Sequence, residues 1–299
     1  MKNNSPLFLA VRRFRRHRLA IFSVGLLLLM IVLVMAAPLF EIWLGVGANE
    51  VDLLSRLLPP SAAHPLGTDE LGRDVFLRLL YGGRISLFTG LTAAVFAASI
   101  GTVVGLFAGF LGGRVDAALM RLTDSVIALP LLPLLIVLVA IDLNKVGLPQ
   151  SIVESEDVSF YRIVFIVAIT GWTTVARLVR GATLSLKEQE FVMAARGVGA
   201  SNMSIMFRHI LPNLLSPIIV AVTLSVGSVI LLESVLSFLG LGIQPPMASW
   251  GNMLTNAQQL IWEAPMLAVY PGLLIFVTVI SFNFLGDGLQ DALDPKAEY

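Results

Sequence analysis

The side chains that ordinarily do chemistry are few in this chain, and none falls into a reactive spacing. A phosphate-cradling loop needs glycine directly before its lysine. The four lysines, Lys2, Lys145, Lys187 and Lys296, follow Met1, Asn144, Leu186 and Pro295 instead. The three histidines, His17, His64 and His209, precede Arg18, Pro65 and Ile210, which excludes the His-Glu-x-x-His zinc pattern. No Gly-x-Ser-x-Gly elbow occurs, and the lack of cysteine excludes thiolate metal sites and disulfide staples. An ion-coupled carrier places ionisable groups inside its membrane spans. Here Asp124, Asp142, Glu233 and Asp287 fall near the ends of apolar runs whose centres carry no charge. No catalytic residue, metal site or cofactor is expected in this chain, so its driving energy is expected from another subunit.

The elements that hold these residues follow from composition. Of 299 residues 57% are hydrophobic and 13% charged, against roughly 25% charged in soluble domains. Too few charges remain to coat a water-soluble surface. Net charge is zero, with 20 basic and 20 acidic side chains, which argues against a nucleic-acid partner. The lipid bilayer is the expected surrounding. Charge-free runs 19–40, 85–113, 125–141, 210–232 and 264–286 each suit a spanning helix of about 20 residues, whereas 163–176 is short. The run 19–40 is too long for the apolar core of a cleaved signal peptide.

Charge placement decides the short run. If 159–177 crosses, with Arg162 reaching to one face, the segments on the side of the basic Arg12–Arg18 cluster hold 14 of the 20 Lys and Arg. We therefore expect an all-α integral membrane protein of six transmembrane helices with both termini cytoplasmic. The organisation expected is a basic tail 1–18, a first helix 19–40, an outer segment 41–84, a five-helix core 85–286 and a C-terminal tail 287–299. The core encloses a cytoplasmic loop 178–212.

Several elements carry finer expectations. Leu71, Val75 and Leu79 recur every fourth residue, with Asp74 and Arg78 paired on another face, which predicts an amphipathic helix at the outer interface, broken at Gly82-Gly83. Gly101, Gly105, Gly109 and Gly113 line one face of the second span, read first as packing within the chain and otherwise as a subunit interface. Pro130 and Pro133 predict a kink in the third span. Ser225 and Ser228 either line a path or bond to backbone. The acidic cluster Glu154, Glu156 and Asp157 reads as a solvated outer loop before it reads as a cation attractor. The stretch EFVMAARGVGASNMSIMFRHILPN, 190–213, predicts a helix, a turn over Gly197–Gly199, a second helix and a stop at Pro212. Such a structured loop suits a docking surface.

Four stretches resemble the permease subunits of bacterial ABC importers, specifically the C-type permease of the oligopeptide/dipeptide/nickel branch. They are HPLGTDELGRDVFLRLLYGGRISL from 64, the loop from 190, FLGLGIQPPMASWGNML from 238 and FNFLGDGLQDALDPK from 282. That family's loop pattern is Glu-Ala-Ala, three residues, Gly, nine residues, Ile, one residue, Leu-Pro. Ala194, Ala195, Gly199, Leu211 and Pro212 match it, whereas Met193 stands at the Glu position and His209 at the Ile position.

The resemblance implies the type I importer fold in the bacterial inner membrane, with Glu190, Met193, Ala194, Ala195, Arg196, Gly199, His209, Leu211 and Pro212 in an ATPase-docking coupling loop. It further implies a periplasmic motif at His64, Gly67, Thr68, Asp69, Gly72, Arg73 and Asp74. The partners implied are a homologous second permease, two ATPase subunits or domains that bind ATP and Mg, and a periplasmic solute-binding protein. Peptides are the implied cargo, with nickel or another metal chelate, glutathione or sugar conjugates as alternatives. An ion-coupled carrier and a membrane hydrolase are the competing classes, and each lacks its diagnostic residues here.

Overall fold

The computed structural model describes residues 6–145, 147, 149–155, 157–255 and 257–293. Glu156 of the acidic cluster and residues 294–299 of the expected tail lie outside the described residues. Among those described, the chain is helical, with one isolated bridge between Thr68 and Asp74. The helices in order are α1 (Pro6–Phe14), α2 (Arg18–Met35), α3 (Ala37–Leu44), α4 (Val75–Leu111), α5 (Gly113–Ala128), α6 (Leu131–Ala140) and α7 (Gln150–Val153). There follow α8 (Val158–Leu186), α9 (Glu190–Gly197), α10 (Asn202–Ser204), α11 (Leu211–Phe238), α12 (Ala257–Leu260) and α13 (Met266–Leu293).

Among the described residues five helices are long and apolar enough to cross a membrane: α2, α4, α8, α13 and the continuous stretch Asn202–Phe238. The helices α5 and α6 form a bent pair that brings the number to six when counted as one span. The bend is 87°, which is a break rather than the kink expected. Its cause is local. Pro130 offers no N–H, and the preceding Leu129 is held extended at φ −73°, ψ 134°. The short run 163–176 belongs to the 29-residue helix α8, which is also the most internal, with 61% of its apolar window buried against 28% for α2. A helix shielded by its neighbours needs less lipid-facing apolar length. Arg162 sits inside α8 and donates from Nη1 to the Val139 carbonyl at the end of α6, at 2.8 Å.

The glycine stripe sets how closely α4 and α8 approach. A methyl group at Gly101 would lie 2.5 Å from the Trp172 carbonyl oxygen, one at Gly105 2.4 Å from that of Ala176, and one at Gly109 2.8 Å from that of Arg180. The stripe thus packs within the chain, backbone against backbone. Gly113 does not join it: it opens α5 at φ +53° with nothing within 4 Å of a Cβ.

The segment before α4 differs from the amphipathic helix expected. Residues 49–74 form a capped loop, Leu71 lies outside any helix, and α4 runs without a break through Gly82-Gly83. Asp74 explains where α4 starts. Its Oδ1 accepts the Leu77 N–H at 2.8 Å, and its Oδ2 lies 3.0 Å from His64 Nδ1. Asp74 is therefore not the partner of Arg78, which pairs instead with Asp69 at 3.4 Å. Asp69 also accepts the Leu71 and Arg73 N–H groups at 2.9 and 3.0 Å and Arg73 Nε at 2.7 Å. Thr68 donates to the Ser55 carbonyl and accepts the Leu58 N–H at 2.8 Å. Gly72, at φ +76°, would put a methyl 1.7 Å from the Asp52 carbonyl oxygen, so only glycine fits. Bonds from the Ser55 hydroxyl and the Leu54 N–H hold the exposed Asp52 carboxyl below its usual range. Replacing the capping Asp74 by alanine is expected to lower stability by about 1 kcal/mol. Thermal unfolding of the purified protein should register it as a shift of about 2–4 °C.

Candidate functional site

Three features stand out, one at each end of the helix bundle and one between them. The middle feature is an open cavity of about 970 Å³ lined by α4, α8, α11, the end of α13 and the two arms of the broken span. Its wall is mainly apolar, interrupted by Thr170, Thr173, Thr174, Ser216, Ser225, Ser228 and Gln290, and none of its lining residues is charged. Ser225 does both things open to it from sequence: its hydroxyl donates to the Ala221 carbonyl at 2.7 Å while the residue lines the cavity. Gln290 and Leu293 line it beside Ser216 and Pro217. The end of α13 therefore lies at the same end of the bundle as the start of α11.

That end carries the loop after α8. Gln189, extended at φ −76°, ψ 150°, turns the chain into α9. Val192 and Ala195 point inward, 0% and 8% exposed, onto a cluster built from Leu106 and Phe110 of α4, Val175 and Val179 of α8, and Ile205, Met206, Ile210 and Leu214. The Arg196 guanidinium lies over the Phe110 ring, 5.5 Å from its centroid, and holds α9 to α4. At φ +80° Gly199 reverses the chain, and the Ala200 N–H returns to the Ala195 carbonyl at 3.0 Å. Glu190, Met193, Ala194, Arg196 and Gly199 lie exposed on this knob. Met193 and Val198 present apolar surface at 54% and 86% exposure.

The rest of the loop pattern lies elsewhere. Ser201 accepts the Ser204 N–H at 3.3 Å and opens α10, which continues through a π-helical turn, Ile205–Ile210, directly into α11. Pro212 therefore stops nothing. It stands in the first turn of α11, where a missing N–H is tolerated, and the Asn213 side chain donates to the His209 carbonyl at 2.7 Å. His209, Leu211 and Pro212 thus form the stem beneath the knob, and Ala195 its inward anchor.

At the opposite end, residues 240–255 are tied to α4 and α11 by a buried polar knot. Glu233, 0% exposed, accepts from the hydroxyls of Ser237 at 2.7 Å and Ser249 at 2.8 Å through Oε1, and from Ser86 at 3.4 Å through Oε2. Trp250 is 1% exposed. It donates from its backbone N–H to Ser86 Oγ at 3.1 Å and from Nε1 to the Leu79 carbonyl at 2.9 Å. Gly83 makes room for the indole, since a methyl there would meet Trp250 Cζ2 at 2.7 Å. Gly82-Gly83, expected as a helix break, instead receives the loop: Gly82 lies against the backbone of Ser249 and Trp250, and Gly83 seats the ring. The sequence places Glu233 only near the end of an apolar run, and nothing in the residue pattern singled out its burial or its partner Ser86. The Ser-Trp-Gly-Asn run at 249–252 was the available signal.

A family model described as binding-protein-dependent transport system inner membrane component matches residues 101–299. Another, the N-terminal transmembrane domain of oligopeptide transport permease C, matches residues 5–60. The chain is 40% identical to the oligopeptide transport system permease protein OppC of Bacillus subtilis, over 96% of its own length and 88% of the relative's. It is also 40% identical to the dipeptide transport system permease protein DppC of Alkalihalophilus pseudofirmus, over 98% and 90%. With the glutathione transport system permease protein GsiD of Pectobacterium atrosepticum the identity is 42%, over 95% and 89%.

Proposed function

Because the chain belongs to the family of binding-protein-dependent transport system inner membrane components, we propose that it is the permease subunit of an ATP-driven importer of di- and oligopeptides. It works as a multi-pass protein of the bacterial inner membrane. Similarity over nearly its whole length to oligopeptide and dipeptide permeases carries this reading. The uncharged hydroxyl- and amide-bearing wall of the cavity agrees with it, since such groups can exchange hydrogen bonds with any peptide backbone without trapping one side-chain charge.

The chain performs no covalent step. A homologous second permease completes the path, two ATPase subunits or domains bind ATP and Mg, and a periplasmic binding protein delivers the peptide. The knob from Glu190 to Gly199 is the coupling element seated in the ATPase. It faces the cytoplasm together with α1 and the end of α13, while 64–87 and 240–255 face outward. Closure of the ATPase pair moves the knob. Through Arg196, Val192 and Ala195 that motion reaches α4 and α8, and the bundle opens alternately to either side.

Vesicles holding this chain alone are expected to show neither ATP hydrolysis nor peptide uptake, whereas the full complex takes up a radiolabelled tripeptide when binding protein and ATP are supplied. Uptake by the lone chain refutes the proposal. The chain has no cysteine, so a single cysteine at Val198 or Leu54 reports sidedness cleanly. Val198 should be labelled from the cytoplasmic side and Leu54 from outside. A second cargo, glutathione, is favoured by the similarity to a glutathione permease, and competition against the labelled peptide decides it.

A further inference from the structure

Beyond transport itself, α1 keeps a surface that the helix bundle leaves exposed. The chain leaves α1 at Phe14, turns through Arg15 and Arg16, and restarts at α2, where His17 Nδ1 accepts the Ala20 N–H at 3.1 Å. The turn is pinned to the end of α13. A methyl at Gly288 would lie 3.4 Å from Phe14 Cε2 and 2.3 Å from Ala20 Cβ, and His17 Nε2 stands 3.8 Å from Asp291. One face of α1 is thus docked.

The remaining surface is two-edged. Val11 and Phe8 are 53% and 54% exposed, and Arg12 follows them around the helix at about 100° per residue. Arg15 and Arg18 are exposed at the turn. The apolar edge continues onto the exposed face of α2 at Leu19 and Phe22, 51% and 68% exposed. An apolar edge continuous with a bilayer-facing helix and bordered by guanidinium groups is the arrangement of a helix lying at the headgroup level. We propose that α1 and its turn bind the anionic phospholipids of the adjacent leaflet, with Val11 and Phe8 among the acyl chains and Arg12, Arg15 and Arg18 on headgroup phosphates.

The test uses the full transporter complex, equilibrated in detergent with equal phosphatidylglycerol and phosphatidylcholine, and counts retained lipid by mass spectrometry. The wild-type complex should retain phosphatidylglycerol preferentially. The triple variant Arg12→Gln, Arg15→Gln, Arg18→Gln should lose that preference, by up to about fivefold per charge removed. The matching Arg→Lys triple should keep it. In the unaltered complex, raising salt from about 50 to about 500 mM should release the lipid, because exposed charges are then screened. Undiminished preference in the Gln triple overturns the proposal, as does salt-independent retention in the wild type. Loss of the second permease or the ATPase from the Gln triple with lipid retained would assign the face to a protein partner and overturn it equally.

Discussion

Replacing Trp250 by alanine is expected to release the 240–255 loop from the bundle and destabilise the protein by about 3–5 kcal/mol. The indole is fully enclosed against Gly83 and Val34 and satisfies the Leu79 carbonyl, so its removal leaves a void that rigid helix backbones cannot fill. The neighbouring positions grade the effect. Trp250→Phe keeps most of the volume but loses the Nε1–H bond, and should cost about 1 kcal/mol for that bond. Glu233→Gln retains an oxygen for Ser237 and Ser249, and Ser86 still accepts the Trp250 N–H, so this variant should approach wild type. Glu233→Ala strands the Ser237 and Ser249 hydroxyls in a dry site and should cost several times more than the glutamine variant. Protease cleavage within 240–255 and the unfolding temperature of the purified protein are the readouts. Equal stability of Trp250→Ala and Trp250→Phe would show that the loop is not held by the ring.

This knot also shows why sequence and structure agree in some places and part in others. Four glycines at a four-residue interval announce a close helix contact, because any larger residue on that stripe would keep the backbones apart, and Gly101, Gly105 and Gly109 make that contact. Gly82-Gly83 carries the same composition but receives the backbone of 249–250 at Gly82 and the Trp250 ring at Gly83, and no local pattern distinguishes a glycine that ends a helix from one that seats a distant loop. Charge-free length identifies lipid-exposed spans such as α2. It underrates α8, whose arginines are met by protein: Arg162 by the Val139 carbonyl, Arg177 by Asp124 at 2.5 Å and Arg180 by Asp116 at 2.5 Å. Asp74 and Arg78 were paired by helical spacing. The chain before Val75 is a loop, where Asp69 and His64 compete successfully for them. The knob at 190–199 was legible because the glycine turn over Gly197–Gly199 is a local signal, whereas the passage through Pro212 depended on a π-helical turn that has none.

Substitutions on that knob separate its shape from its surface. Ala195→Arg forces a guanidinium into the cluster of Val192, Leu106, Ile205 and Leu214, where it has no partner, and should displace α9 at a cost of several kcal/mol. Gly199→Val imposes a β-branched residue on a φ of +80° and adds about 1–3 kcal/mol of strain. Both should abolish coupling by moving the knob. Met193→Asp and Val198→Asp leave the fold untouched, because both side chains already face solvent, yet each puts a charge where a partner cleft would close. If the knob is the ATPase contact, each should weaken co-purification of the ATPase about 30-fold or more, which corresponds to loss of a contact worth 2 kcal/mol. Membrane insertion and melting temperature should stay unchanged in these two. Full ATPase retention in Met193→Asp and Val198→Asp, alongside transport loss in Ala195→Arg, would leave α9 a structural brace and move the coupling contact to another surface.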